Sequence, residues 1–408
     1  MLSWVSRFNI CCFLDNHHYN TGNTAVECLA AAGASEIFNP AQNALPRLHE
    51  FCNRQDGWLF GHVGYDLKNE IHNLHSAHPD HIGFPDIFFF APEIVLKLDE
   101  EELTIISHRE EPAVIFSGIQ KEVPGHSSLN TFSIQPRLSK QEYLDAIGNI
   151  ARHIHRGDCY ELNFCQEFFA TNINTDPVAI YTALTKISPN PFSCFYRTDQ
   201  KYLLCASPER YLQKNGDRII SQPIKGTLRR DADQQADDQL KEQLHRSAKD
   251  RSENVMVVDL VRNDLSKVCV EGSVKVDELF GVYSFPQVHQ MISTVSGRLK
   301  PNTDLADILE ASFPMGSMTG APKRSVMQLI ERYEKTRRGI YSGAVGYISP
   351  EKDFDFNVVI RSILYNAEAK YLSYLVGGGI TAYSDPEKEY EECLLKAEAI
   401  SKVLQGRK

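Results

Sequence analysis

Short runs of β-branched and aromatic residues recur along this chain, each of strand rather than helix length. Residues 87–91 (IFFFA) and 94–98 (IVLKL) are such runs, as are 159–169, 201–206, 218–221, 344–349, 358–365 and 371–376. The most apolar of them falls far below the roughly 20 residues that a membrane helix needs. Helical signals lie between the runs. Ser139 and Glu142 form a capping-box pair, and Tyr143, Ile147, Ile150 and Ile154 follow at helical spacing, which predicts a helix ending near Gly157. Residues 231–250 form a densely charged helical stretch that reads as a solvated face. Strands and helices in both halves lead to an α+β expectation. The 408 residues exceed a usual single domain, so the chain forms two domains or one large interleaved unit. The polar segment 121–140, with its Pro and Gly, is the best linker, dividing an N-terminal α+β part, 1–130, from a larger part, 131–408.

Charge narrows the function. Acidic residues number 53 against 43 basic ones, a net charge of -10, which argues against general nucleic-acid binding but leaves room for a local basic pocket that takes a small anion. Ten cysteines with no CxxC pair and no disulfide-like framework suit a reducing cytoplasm. The first residues lack the basic start and sustained apolar stretch of a secretory signal, so a cytoplasmic location with no membrane span is expected.

The most reactive candidate is Lys225, in PIKGT at 223–227. Pro223 and Ile224 supply an apolar side, Gly226 lets backbone amides approach a ligand, and Thr227 adds a hydroxyl suited to a small carboxylate. An ordinary lysine, with a pKa of about 10.4, is protonated at neutral pH. A nucleophilic Lys225 therefore requires desolvation or a neighbouring cation that holds it neutral; otherwise the segment is a surface turn.

Two carboxylate pairs repeat one spacing. Asp250 with Glu253, and Glu389 with Glu392, stand three apart on helical stretches, so each pair projects from one face; Cys393 and Lys396 extend the second. Such oxygen ligands suit Mg2+, which takes one or two carboxylates and leaves its other positions to water and an anionic substrate. Plain surface charge, with Glu392 pairing to Lys396, is the other reading. FPMGSMTGAPK at 313–323 and VGGGI at 376–380 place glycines where amides could meet an anion, the second after a strand and before the acidic helix. Such turns often serve geometry alone, and neither matches a P-loop or dinucleotide pattern. Arg361, among apolar neighbours in VVIRSI, either clamps a substrate or pairs internally.

In this order, PIKGTLRR, SAKDRSENVMVVDLVRNDLSKV, FPMGSMTGAPKRSVMQLIE, RRGIYSGAVGYIS, DFNVVIRSI and VGGGITAYSDPEKEYEE resemble the chorismate-utilising enzymes over about residues 135–405. The resemblance implies their α+β fold, layered antiparallel β-sheets with flanking helices, and a chorismate-binding catalytic domain at 131–408. Lys225 in PIKGT is similar to the branch that forms 4-amino-4-deoxychorismate, whereas the anthranilate-forming branch usually carries alanine there. GDCYELNFCQEF, the SPER turn at 207–210 and the N-terminal LSW and GWLFGHVGYDL support the same branch. The implied reaction is amination of chorismate on the path to 4-aminobenzoate and folate. Anthranilate formation is the alternative, and a catalytically silent chorismate-binding regulatory subunit is the third possibility.

By the same resemblance, Lys225 attacks the ring and Glu209 acts as general acid and later base. Gly226, Thr227, Tyr341, Arg361, Gly377, Gly378 and Gly379 match chorismate-contacting positions, with Arg361 on the enolpyruvyl carboxylate. Glu253 and Glu392 would bind Mg2+, with Asp250 and Glu389 as supports. No glutaminase segment with its nucleophilic cysteine is recognisable, which implies ammonia from a separate glutamine amidotransferase subunit. Two positions depart from the family pattern. Gln290 stands where a histidine is usual, with His289 one residue earlier and so on the opposite face of a strand. Glu161 stands where amine-transferring members usually carry glutamine and water-activating members lysine.

Overall fold

The computed structural model describes residues 1–19, 27–99, 102–122 and 131–406. Among these residues two large antiparallel sheets carry the fold. The eleven-stranded sheet runs Gly320–Ala321, Glu161–Thr171, Tyr371–Ile380, Ser362–Asn366, Lys201–Ser207, Phe192–Thr198, Ile10–Asp15, Cys28–Ala32, Ile94–Leu98 and Leu103–Ser107, with Gln135–Pro136 also paired to Glu161–Thr171. The ten-stranded sheet runs Ile224–Arg229, Val288–Arg298, Arg218–Gln222, Arg210–Asn215, Phe354–Asn357, Ala344–Ile348, Leu59–Val63, Ile87–Ala91 and Glu36–Phe38, with Lys275–Ser284 paired to Val288–Arg298.

Strands from both sides of the expected boundary share both sheets. Ile10 pairs with Thr198 in one, and Val63 with Ala344 in the other. Residue 130 itself lies outside the described residues, and the division into 1–130 and 131–408 does not follow the sheets. The chain is interleaved.

The strand runs are apolar at consecutive positions because the larger sheet is covered on both faces. In Lys201–Ser207, Leu203 and Cys205 join Phe60, Phe89 and Phe356 in a core between the sheets, while Leu204 and Ala206 face helices on the other side. Helix Lys140–Arg156 supplies Tyr143, Ile147 and Ile150 to that second core. Burying each such side chain contributes about 1.5–3 kcal/mol. The helix begins with the expected capping box: the Glu142 N–H donates to Ser139 Oγ, and the Ser139 N–H donates to the Glu142 carboxylate at 2.8 Å. It ends at Gly157, whose φ of +87° suits a residue without Cβ.

Three expectations are reshaped near the cavity described below. The charged stretch 231–250 is divided between helices Gln234–Arg246 and Ala248–Val268, and it is not wholly solvated, because Asp237 is buried beneath Arg230 and His289. Of the expected strand 358–365 only the second half forms, within Ser362–Asn366. Phe354–Asn357 lies in the smaller sheet and Ser362–Asn366 in the larger, and the chain crosses between them with Arg361 at φ +53°. Finally, VGGGI is part of a strand rather than a turn after one: Tyr371–Ile380 stays paired to its end, with Gly377 opposite Cys165 and Gly379 opposite Asn163. No helix among the described residues is long and apolar enough to cross a membrane.

Candidate active site

The crossing at Arg361 opens onto a cavity that several elements reach at once. Strand Ile224–Arg229 brings Lys225, Gly226 and Thr227; strand Tyr371–Ile380 brings Gly377 and Gly379; helix Ala248–Val268 brings Lys249, Asp250 and Glu253; helix Pro386–Lys396 brings Glu392 and Lys396. Glu209, Ser317, Tyr341 and Arg361 complete the wall. Eleven of the thirteen residues expected from the sequence therefore meet in one place. Gly378 and Glu389 do not line it. Gly378 turns toward the acidic helix, where an added Cβ would lie 3.4 Å from Lys396 Nζ. Glu389 is buried behind it, accepting from Ser384 Oγ at 2.7 Å and Lys249 Nζ at 3.4 Å. Gly226 has φ +92° and packs on Asp250, so both conformation and close approach favour glycine there.

Lys225 is buried, 8% exposed, and its Nζ donates to Glu161 Oε1. Burial alone would lower the amine's pKa, but the charges of Glu161, Glu253 and Glu209, with the hydrogen bond to Glu161, outweigh it and the pKa is raised. The expectation of a lysine held neutral is corrected. The amine is desolvated as anticipated, yet it is ionised in this state because a glutamate 64 residues away in sequence pairs with it.

Glu209 behaves oppositely. Burial pushes its carboxyl up to about 7, against a hydrogen bond with Ser317 and the Lys225 charge, so it can hold a proton near neutrality and give it up. Arg361 is desolvated too, and burial lowers its pKa. Its guanidinium donates to the Lys396 carbonyl at 3.1 Å, and no carboxylate ion-pairs with it among the described residues. Internal pairing is thus not what the structure adopts. A buried guanidinium of this kind, with Lys249 and Lys396 also on the wall, suits the carboxylates of a small acid.

The acidic pairs supply oxygen donors from two helices. Glu253 Oε1 is buried without a hydrogen-bond partner, and burial lifts the carboxyl to about 7. Glu392 is held down at about 2, first by the charge of Lys396, whose Nζ is 2.7 Å away. Among the described residues no three acidic, histidine or cysteine side chains already form a metal cage. Two carboxylates sharing a cavity, one with a buried oxygen that makes no hydrogen bond, fit Mg2+ bound partly by water and substrate, and not a cation held by protein alone.

Sequence reasoning passed over Lys249, which lies 3.9 Å from Glu253 and 3.4 Å from Glu389. Its place one helical turn before Glu253 was the available signal. His289 is buried away from the cavity, bonded to Ser284 Oγ at 2.9 Å and Asp237 at 3.0 Å, whereas Gln290 lines the wall with its Oε1 unpartnered. The two neighbours face opposite sides of strand Val288–Arg298, as a pleated strand requires.

A family model described as chorismate binding enzyme matches residues 13–402. The aminodeoxychorismate synthase component 1 of Escherichia coli K12 is 36% identical over 352 residues, covering 86% of this chain and 77% of that protein. The anthranilate synthase component 1 of Thermus thermophilus is 33% identical over 361 residues, covering 86% of this chain and 78% of that protein. Among solved structures, the anthranilate synthase component I from Streptococcus pneumoniae TIGR4 superposes with a TM-score of 0.80 over 91% of each chain at 24% identity, a likeness of fold.

Proposed function

The chain belongs to the chorismate binding enzyme family, and from that premise we propose that it aminates chorismate to 4-amino-4-deoxychorismate with ammonia, through a covalent bond to Lys225. The observation that carries this reading is the buried Lys225 amine on the wall of the cavity, beside a carboxyl that can hold a proton. A lysine in PIKGT is the feature by which the sequence resembles the branch that transfers nitrogen to the 4-position. The relatives named aminodeoxychorismate synthase component 1 favour the same branch.

The chain's own residues divide the work. Arg361 takes a substrate carboxylate, and the Thr227 hydroxyl and the amides about Gly226 and Gly379 crowd the ring toward Lys225. The Lys225 amine, once neutral, forms a C–N bond to the ring while the double bonds shift and the C4–O bond breaks. Glu209 gives its proton to the departing hydroxyl, which leaves as water. Ammonia then bonds to C4, the lysine C–N bond breaks, and Glu209 recovers a proton from the new ammonium. Mg2+, held by Glu253 and Glu392 with Asp250 and Glu389 behind them, would neutralise and fix the ring carboxylate when bound. All ten cysteines are buried, which supports ammonia arriving from another chain, a glutamine amidotransferase subunit.

Incubation with chorismate, Mg2+ and an ammonium salt is expected to yield 4-amino-4-deoxychorismate, read by liquid chromatography with mass detection. Anthranilate as the product would replace this reading with the second branch, and chorismate binding without turnover would replace it with a regulatory subunit. A pH profile follows from Glu209. Its carboxyl is protonated below about 7 and ionised above, so the first displacement should slow as pH rises through that value. Glu209→Gln should flatten that limb at a rate lower by on the order of 10²-fold or more, measured as adduct formation in single turnovers.

A further inference from the structure

Glu161 is the first residue of strand Glu161–Thr171 and only 2% exposed. Its Oε1 accepts from Lys225 Nζ, while its Oε2 is buried with no partner. The pair lies against Gly379, where an added Cβ would stand 2.5 Å from Glu161 Oε1 and 2.7 Å from Lys225 Nζ. Three carboxylates raise the charge preference of that amine, Glu161, Glu253 and Glu209, and among them only Glu161 is hydrogen-bonded to it. Glu209 must itself carry a proton to the leaving hydroxyl. Glu253 lies 3.9 Å from Lys249 and makes no hydrogen bond to the Lys225 amine. A glutamine at position 161 could bond to the lysine but could not accept its proton.

We propose that Glu161 is the catalytic base of Lys225, taking a proton from the ammonium before the amine bonds to the ring and returning it when ammonia expels the amine. This deepens the covalent reading above and rests on it. Its protons balance over the cycle. Lys225 ammonium and Glu161 carboxylate become amine and acid. The amine bonds to the ring, the C4–O bond breaks, and the Glu209 proton leaves with water, so the adduct is a secondary ammonium. Ammonia bonds to C4 and the lysine departs as a neutral amine. Glu161 then returns its proton to Lys225, and the product ammonium gives one to Glu209. Both carboxyl groups end as they began, and the net change is chorismate plus ammonia to the amino acid plus water.

The test follows adduct formation on the full chain with chorismate and Mg2+ but no ammonia, quenched in time and read by intact-protein mass, with chorismate affinity measured calorimetrically alongside. Glu161→Gln should bind chorismate within about threefold of the parent, yet form adduct on the order of 10²-fold more slowly. Glu161→Asp should lose only about tenfold, and formate should partly restore Glu161→Ala, since a small carboxylate fits the space the side chain leaves. A merely structural glutamate would not be replaced by free formate. Adduct formation by Glu161→Gln at the parent's rate would overturn the role of Glu161 while leaving the covalent reading intact. Amination by the parent protein with no adduct at any time would instead overturn the covalent reading, and this inference with it.

Discussion

Lys225→Ala is expected to abolish the covalent adduct and to lower amination on the order of 10³-fold or more, because it removes the proposed nucleophile from the wall of the cavity. Alanine also strands Glu161, which is 2% exposed and would keep no partner for either oxygen. Breaking a buried pair from one side costs about 3–5 kcal/mol, so lost activity alone would not separate a missing nucleophile from a weakened fold. Lys225→Arg separates them. A guanidinium keeps the charge that Glu161 needs but stays protonated and is a poor nucleophile. It should therefore denature near the parent's midpoint and still give no mass increase with chorismate. Normal turnover by Lys225→Arg would remove Lys225 from the chemistry altogether.

This contrast also explains what the sequence could and could not disclose. Lys225 stood out because PIKGT is a local pattern, but its burial comes from other elements, with Gly379 and Glu161 against its amine. Its protonation is not local either, since the deciding partner is Glu161, brought across from the other sheet by tertiary pairing. The helix from Lys140 was legible to the residue because a capping box and a C-terminal glycine are both local signals. The carboxylate pairs were legible as helix faces for the same reason, and only the fold could show that the two faces share a cavity.

The losses are equally physical. Residues 358–365 read as one strand because valine and isoleucine dominate. The break at Arg361 arises from a left-handed arginine at the crossing between sheets, a conformation that propensity assigns to glycine or asparagine. Interleaving was one of the two organisations the chain length allowed, but which N-terminal strands interleave was not legible, as the pairing between Ile10 and Thr198 depends on which edge remains open once other pairs have formed.

Two of the three glycines of VGGGI, misread as a turn, are expected to divide by function when each receives a methyl group. A Cβ on Gly377 would overlap the Phe164 carbonyl oxygen and come within 2.7 Å of the Cys165 Cα, both backbone atoms of the neighbouring strand. Backbone cannot rotate aside, so strands Glu161–Thr171 and Tyr371–Ile380, paired from Thr171 to Leu162, must separate or shift. Gly377→Ala should lose about 3 kcal/mol or more of stability, seen as an earlier denaturation midpoint or as insoluble protein. A Cβ on Gly379 meets only the far ends of two side chains, Glu161 Oε1 at 2.5 Å and Lys225 Nζ at 2.7 Å. Those ends can move. Gly379→Ala should therefore stay folded, within about 1 kcal/mol of the parent, while pushing the amine and its base off line. A displacement of about 1 Å at reacting atoms slows chemistry on the order of 10²-fold, so adduct formation should fall by that factor with little change in denaturation midpoint. If Gly379→Ala instead unfolds as readily as Gly377→Ala, the close approach at 379 serves the sheet. If it forms adduct at the parent's rate, the Lys225–Glu161 pair has more freedom than its burial implies.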